Sequence, residues 1–143
     1  MASNWICIDA SLVVRLLIDT ADEELPKQWR EWQATGRRFA APGLLFYEVA
    51  NALYQYQRHG YLSAETSREA LAAAASLPIQ LYHDPGLHES ALRLAGKFDH
   101  GATYDAHYLA LAEHLDGEFW TADRRLAKNV QGEFGSVKQW PAN

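Results

Sequence analysis

The sequence predicts an α/β fold, a three-layer α/β/α sandwich with a mostly parallel central sheet. Two observations predict it. Short apolar runs alternate with amphipathic helical stretches from one end of the chain to the other, the pattern of strands joined by helical crossovers. The 143 residues are also about half apolar (48%), enough for one core without metal or disulfide staples. No repeat, low-complexity segment or linker interrupts the pattern, so residues 1–143 are expected to form a single domain.

The elements follow in order. Trp5-Ile6-Cys7-Ile8 is a continuous apolar run, suited to a central strand buried on both faces, and it stops at Asp9. Ser11 is expected to cap the next helix, whose apolar side is supplied by Leu12 to Leu17. From Asp22 to Gln33, Leu25, Trp29 and Trp32 recur three or four residues apart, giving an amphipathic helix with aromatic packing residues. After Gly36, Phe39-Ala40-Ala41 reads as a second strand ending at Pro42-Gly43. Leu44 to His59 is a strong helix with Leu45, Val49, Leu53 and Tyr56 on one side. Phe46, Tyr47, Ala50 and Tyr54 widen its apolar surface, which predicts burial on more than one side, partly within the core and partly against a partner. Ser63 caps an alanine-rich helix reaching Ser76, and Ile79 to Tyr82 is a third strand. Asp84-Pro85 starts a helix running to about Phe98, with Asp84 as cap and Pro85 in the first turn. Thr103 to His114 is a helix, Glu118 to Thr121 a fourth strand, Arg124 to Asn129 a short helix, and Val137 to Trp140 a terminal strand.

Composition excludes several classes. A net charge of −5 argues against a protein that coats nucleic acid by charge alone, although a cluster of acids neutralised by a cation is compatible with a nuclease. Cys7 is the only cysteine, so no disulfide forms within the chain, and a reducing cytoplasm is the expected location. Its apolar surroundings mark it as a buried strand residue rather than a nucleophile. No apolar stretch is long enough to span a bilayer, and the N-terminus lacks the pattern of an export signal.

Open parallel sheets present functional groups beyond the C-terminal ends of their strands. Asp9 follows the first strand and Asp123 the fourth, while Glu48 and Asp105 lie in the first turns of their helices. All four can point into one cleft at the same edge. Crowded carboxylates repel and are costly to desolvate, and a hard cation offsets both effects. Oxygen-only ligands favour magnesium or manganese over zinc. Taken singly, each acid has a plainer reading: Asp9 and Asp123 as helix caps, Asp105 as a complement to a helix dipole. Glu48 discriminates most, because it sits among Leu45, Phe46, Tyr47 and Val49 on a helix expected to be largely buried. Asn51 shares its helix face and could help orient the site.

These residues carry a resemblance. Ile8-Asp9-Ala10-Ser11, Tyr47-Glu48-Val49-Ala50-Asn51-Ala52-Leu53, Tyr104-Asp105-Ala106-His107-Tyr108 with Leu109 to Ala112, and Thr121-Ala122-Asp123-Arg124-Arg125-Leu126 occur in the order found in PIN domains. The pattern is most similar to VapC toxins of prokaryotic VapBC toxin–antitoxin pairs, and it spans nearly the whole chain. The resemblance implies a parallel sheet flanked by helices and a Mg2+- or Mn2+-dependent endoribonuclease. Asp9, Glu48, Asp105 and Asp123 would be both its catalytic residues and its metal ligands, with Asp9 and Asp105 the most direct. Ser11 and Thr121 fall on the family's hydroxyl positions. Some relatives carry a further acid after the last motif, where this chain has Arg124, Arg125 and Lys128. A homodimer is also implied, as is a VapB-like antitoxin whose C-terminal segment lies across the cleft and brings arginine to the carboxylates.

Arg37, Arg38, Arg58, Lys97, Arg124, Arg125 and Lys128 are candidate RNA phosphate contacts, with solvated surface as the plain alternative. For His107, a surface or structural role is expected rather than metal ligation. Three rival functions stay open on the sequence: a PIN module that binds without cutting, a housekeeping RNA- or DNA-processing nuclease, and a phosphoacceptor signalling domain. The last wants a pair of adjacent acids after the first strand, whereas Asp9 is followed by Ala10-Ser11.

Overall fold

The computed structural model describes residues 3–134 and 136–141. Its elements are β1 (Trp5–Ile8), α1 (Ala10–Ile18), α2 (Glu24–Ala34), β2 (Arg38–Pro42), α3 (Leu45–Arg58), α4 (Ala64–Ala75), β3 (Ile79–Tyr82), α5 (Gly86–Lys97), α6 (Tyr104–Leu115), β4 (Glu118–Thr121), α7 (Arg124–Val130) and β5 (Val137–Gln139). The strands form one sheet in the order β3-β2-β1-β4-β5, and every pairing is parallel. The α/β class and the alternation of elements are as the sequence predicts.

Alternation along the strands builds the three layers, because successive strand side chains point to opposite faces. Phe119 turns towards α6, where it stacks with Tyr108. The next residue, Trp120, turns the other way and packs on Trp32 of α2. Trp29 lies flat on Phe39 of β2, with ring centres 3.9 Å apart. The two tryptophans of α2 are thus core residues. Central strand β1 is sealed, with Ile6, Cys7 and Ile8 fully buried, and burial pushes the Cys7 thiol up to about 12.

Two local expectations change. Ser11 lies inside α1, and Asp9 caps that helix by accepting the Leu12 N–H at 3.1 Å. Helix α5 begins at Gly86, with Pro85 before it and the Asp84 carboxylate accepting the Gly86 N–H at 2.9 Å. Within the chain, helix α3 is buried along one side. Leu45, Val49 and Leu53 enter the core, whereas Tyr47, Tyr54 and Tyr56 lie open to solvent. Of the aromatic residues that widened the apolar pattern, Tyr47 and Tyr54 therefore form an outer face, while Phe46 packs half-buried against the core.

Candidate active site

The sheet order makes β1 the point where the chain changes direction: β2 and β3 extend to one side of it, β4 and β5 to the other. A crevice opens beyond the C-terminal ends at such a switch point, between β1 and β4. Asp9 leaves β1 there, and Thr121 ends β4 beside it.

Asp9 is almost fully buried (6% exposed) and held by three donors. Ser11 Oγ–H and the Leu12 N–H donate to Oδ1 at 2.6 and 3.1 Å, and the Thr121 hydroxyl donates to Oδ2. Both hydroxyls accept in turn. Ser11 Oγ takes the Ala122 N–H at 3.0 Å, and Thr121 Oγ1 takes the Asp123 N–H at 2.9 Å. The start of α1 and the end of β4 are therefore stitched together through one carboxylate. Burial pushes Asp9 up to about 6, the three donors oppose that rise, and the charge of Asp105 adds to it.

Glu48, half-buried in the first turn of α3, accepts the Tyr108 phenol at 2.6 Å. Desolvation raises its pKa, the Tyr108 hydrogen bond and the charge of His107 lower it, and Asp105 raises it. Partial desolvation of the carboxyl, then the charge of Asp123, raise Asp105, while His100 lowers it. Asp123 caps α7, its Oδ1 accepting the N–H groups of Arg125 and Leu126 at 3.0 and 3.1 Å. The four acids thus stand at one rim of the sheet, with Asp105 feeling or exerting the charge of each of the others.

The rim is not a closed cage. Among the described residues, no three His, Cys, Asp or Glu side chains stand close enough together to hold a metal ion. Each of Asp9, Glu48 and Asp123 is drawn to its own hydrogen-bond donors, and mutual repulsion favours separation. The chemistry of the set nevertheless fits a hard divalent cation. Its donors are all carboxylate oxygens, and Asp9, Glu48 and Asp105 share a shortage of positive charge that such an ion would relieve.

Asn51 is exposed and lines, with Ser11 and Glu48, a groove of about 660 Å³ between α1 and α3. Arg124 and Arg125 are exposed in the first turn of α7, next to Asp123. Arg37 and Arg38 lie elsewhere. They precede or begin β2 at the opposite edge of the sheet, where Arg37 pairs with Glu118 at 2.8 Å and Arg38 stands over the Trp5 ring. That position removes both from the cleft. Arg58 ends α3, Lys97 pairs with Glu133 at 3.6 Å, and Lys128 is exposed on α7. His107 is tied to Thr103 O at 2.7 Å and to His88 at 2.9 Å, a structural role.

The sequence reading gave no role to Tyr108, which is fully buried and positions Glu48. Burial and the neighbouring Glu48 carboxylate hold its phenol protonated, far above the usual range. Its spacing from Asp105, one helical turn on α6, was the available signal, hidden within the apolar run Tyr108 to Ala112. His100 was also missed. It bonds Asn129 at 2.6 Å and its charge bears on Asp105, but its place in a loop gave no periodic cue.

The chain is similar to curated proteins along most of its length. It is 32% identical over 128 residues to ribonuclease VapC3 of Pyrobaculum aerophilum, covering 86% of this chain and 92% of that protein. It is 30% identical over 128 residues to ribonuclease VapC9 of Mycobacterium tuberculosis, covering 90% and 93% respectively. Among solved structures, a Pyrobaculum aerophilum protein superimposes with a TM-score of 0.68 at 26% identity, over 92% of this chain and 81% of that one. A toxin–antitoxin complex from Klebsiella pneumoniae shares the fold, with a TM-score of 0.65 at 17% identity over 96% of this chain and 99% of its own. The PIN-domain family profile matches residues 6–131, a span that begins in β1, ends just past α7 and takes in all four acids; the chain belongs to the PIN-domain family.

Proposed function

We propose that this chain is a divalent-metal-dependent endoribonuclease, the toxin of a VapBC-type pair, cutting RNA phosphodiester bonds at the β1/β4 crevice. The observation that carries the reading is the buried Asp9 carboxylate, with Glu48, Asp105 and Asp123 around it, in a PIN-family chain whose relatives are VapC ribonucleases. Residues 1–143 act as one domain. A VapB-like antitoxin neutralises the toxin, which works as a homodimer in the cytoplasm. The described residues contain no helix long and apolar enough to cross a membrane.

Asp9 and Asp105 would hold Mg2+ or Mn2+ most directly, with Glu48 and Asp123 completing the set. Such a cation would supply Lewis-acid chemistry, polarising the scissile phosphate, offsetting the charge that develops on it and strengthening water as the nucleophile. The protein's part is placement. Ser11 and Thr121, their hydroxyls 3.3 Å apart, each fix one oxygen of Asp9, and Tyr108 sets the carboxylate of Glu48. Arg124 and Arg125 meet RNA phosphates beside the cleft, compensating locally for a chain of net charge −5.

Wild type and Asp9→Asn, each expressed in cells while growth and RNA integrity are followed, test the reading. Growth arrest and RNA cleavage are expected from the wild type alone, with both proteins equally folded by circular dichroism. Cleavage retained by Asp9→Asn sinks the site assignment. A folded wild type that cuts no RNA in magnesium or manganese sinks the activity.

A further inference from the structure

Strands β2 and β3 end side by side at Pro42 and Tyr82. The turns beyond them open a recess of about 490 Å³ whose lining includes Tyr47, His83, Leu87, His88, Tyr104 and His107. The size lies within the roughly 300–1,000 Å³ span of small-ligand pockets. Tyr47 is 78% exposed and Tyr104 59%, so both rings are offered to solvent rather than to the core. Each immediately precedes an acid of the cleft, Glu48 or Asp105, and so stands about 100° round its helix from that acid, which places the recess beside the candidate site rather than within it.

The histidines add a directional polar group. Thr103 O can only accept, so Nδ1 of His107 must carry a proton to make its 2.7 Å bond. With both rings neutral, Nε2 of His107 is then a bare acceptor. The 2.9 Å contact with His88 must be donated by His88 Nδ1–H. That order leaves the Nε2 lone pair of His88 as an acceptor for a ligand. On the other wall, a Cβ on Gly43 would lie 2.3 Å from Cε1 of His83, so the His83 ring rests against backbone that only glycine leaves bare.

From these features we infer that the recess binds one unstacked RNA base next to the scissile phosphate, with Tyr47 and Tyr104 as stacking surfaces and His88 accepting from the base's amino edge. The inference rests on the nuclease reading above and adds a specificity subsite to it. Flat tyrosine and imidazole rings, with Asp84 beside them and no lysine or arginine in the lining, suit the face of a base rather than a phosphate. Single-stranded RNA is read in this way, by bases splayed onto aromatic side chains and hydrogen-bonded along one edge.

The test separates base binding from cleavage. A short single-stranded RNA carrying one 2-aminopurine is titrated with the full chain in EDTA, and fluorescence quenching reports stacking without catalysis. Tyr47→Ala and Tyr104→Ala are each expected to weaken binding roughly tenfold, while Tyr47→Phe and Tyr104→Phe keep it within about twofold. Replacing adenine by unsubstituted purine in a competitor RNA is expected to weaken wild type and leave His88→Ala indifferent. Quenching by both alanine variants equal to wild type overturns the base subsite, even if RNA is still cut in magnesium. So does a dimer that falls to monomer in those variants with quenching unchanged, because the recess would then serve a subunit contact. Tyrosine-dependent quenching by a protein that cuts no RNA would support the base site and refute the nuclease.

Discussion

Asp9 is held by neutral donors rather than by a counter-charge, and this gives its ionisation a measurable consequence. Its folded value is pushed up to about 6, above the ordinary 3.8, so the neutral acid favours the folded state. That contribution is complete below the ordinary value and is lost as pH rises through about 6. Ion-free wild type is therefore expected to lose stability relative to Asp9→Asn between about pH 4 and pH 6 in urea titrations. Parallel pH profiles for the two proteins would show that Asp9 ionises without strain. Tyr108 acts on the second acid. Its hydrogen bond lowers Glu48, so Tyr108→Phe lets Glu48 take up a proton at higher pH. The expected result is roughly tenfold slower cleavage near neutrality and an acid limb of the pH–rate profile displaced upwards. A uniform loss of rate with the limb unmoved would mean that Tyr108 only packs.

At the level of elements, the sequence was most legible where periodicity met a clear boundary, and least where one side chain chose between two partners. Strand β1 could be read because four apolar residues end at an acid. Which residue caps α1 could not, because Asp9 and Ser11 are both competent and only β4 decides between them. Thr121 and the Ala122 N–H, more than a hundred residues away, draw both side chains into one network. How α3 divides between core and outer face was not legible for a similar reason, since exposed tyrosines extend an apolar pattern just as buried ones do. Asp22 shows a boundary with a function of its own. Oδ1 accepts the Glu24 and Leu25 N–H groups at the start of α2, while Oδ2 accepts Arg15 and the Trp140 indole, each at 2.8 Å. Burial raises Asp22, but these bonds outweigh it and hold the carboxyl below the ordinary value. Its stabilising contribution is present at neutral pH and is lost as pH falls through that lowered value. Asp22→Ala is expected to cost about 2–3 kcal/mol in urea unfolding at neutral pH, through a lost cap and an unpaired indole N–H. A loss below about 0.5 kcal/mol would make the cluster surface decoration.

Across the whole molecule, the parallel sheet does what its topology requires: it gathers residues distant in sequence at one edge. This was readable in advance for Asp9, Glu48, Asp105 and Asp123, because each follows a strand or opens a helix. The positions of Arg37 and Arg38 were not, because a basic pair beside a strand looks the same at either end until the strand's direction is fixed. An ion that binds this rim only when folded must stabilise the chain in proportion to its concentration. At a hundred times its dissociation constant the gain is about 2.7 kcal/mol. Magnesium or manganese is thus expected to raise the melting temperature of wild type progressively and that of Asp9→Asn far less. Equal shifts in both would place the ion elsewhere. The wide spacing of the acids also bears on how such a protein is made. Asp9 leaves the ribosome more than a hundred residues ahead of its partner strand β4 and Asp123. On this layout, a nascent chain that has not yet reached β4, or one cut short before it, holds no assembled centre.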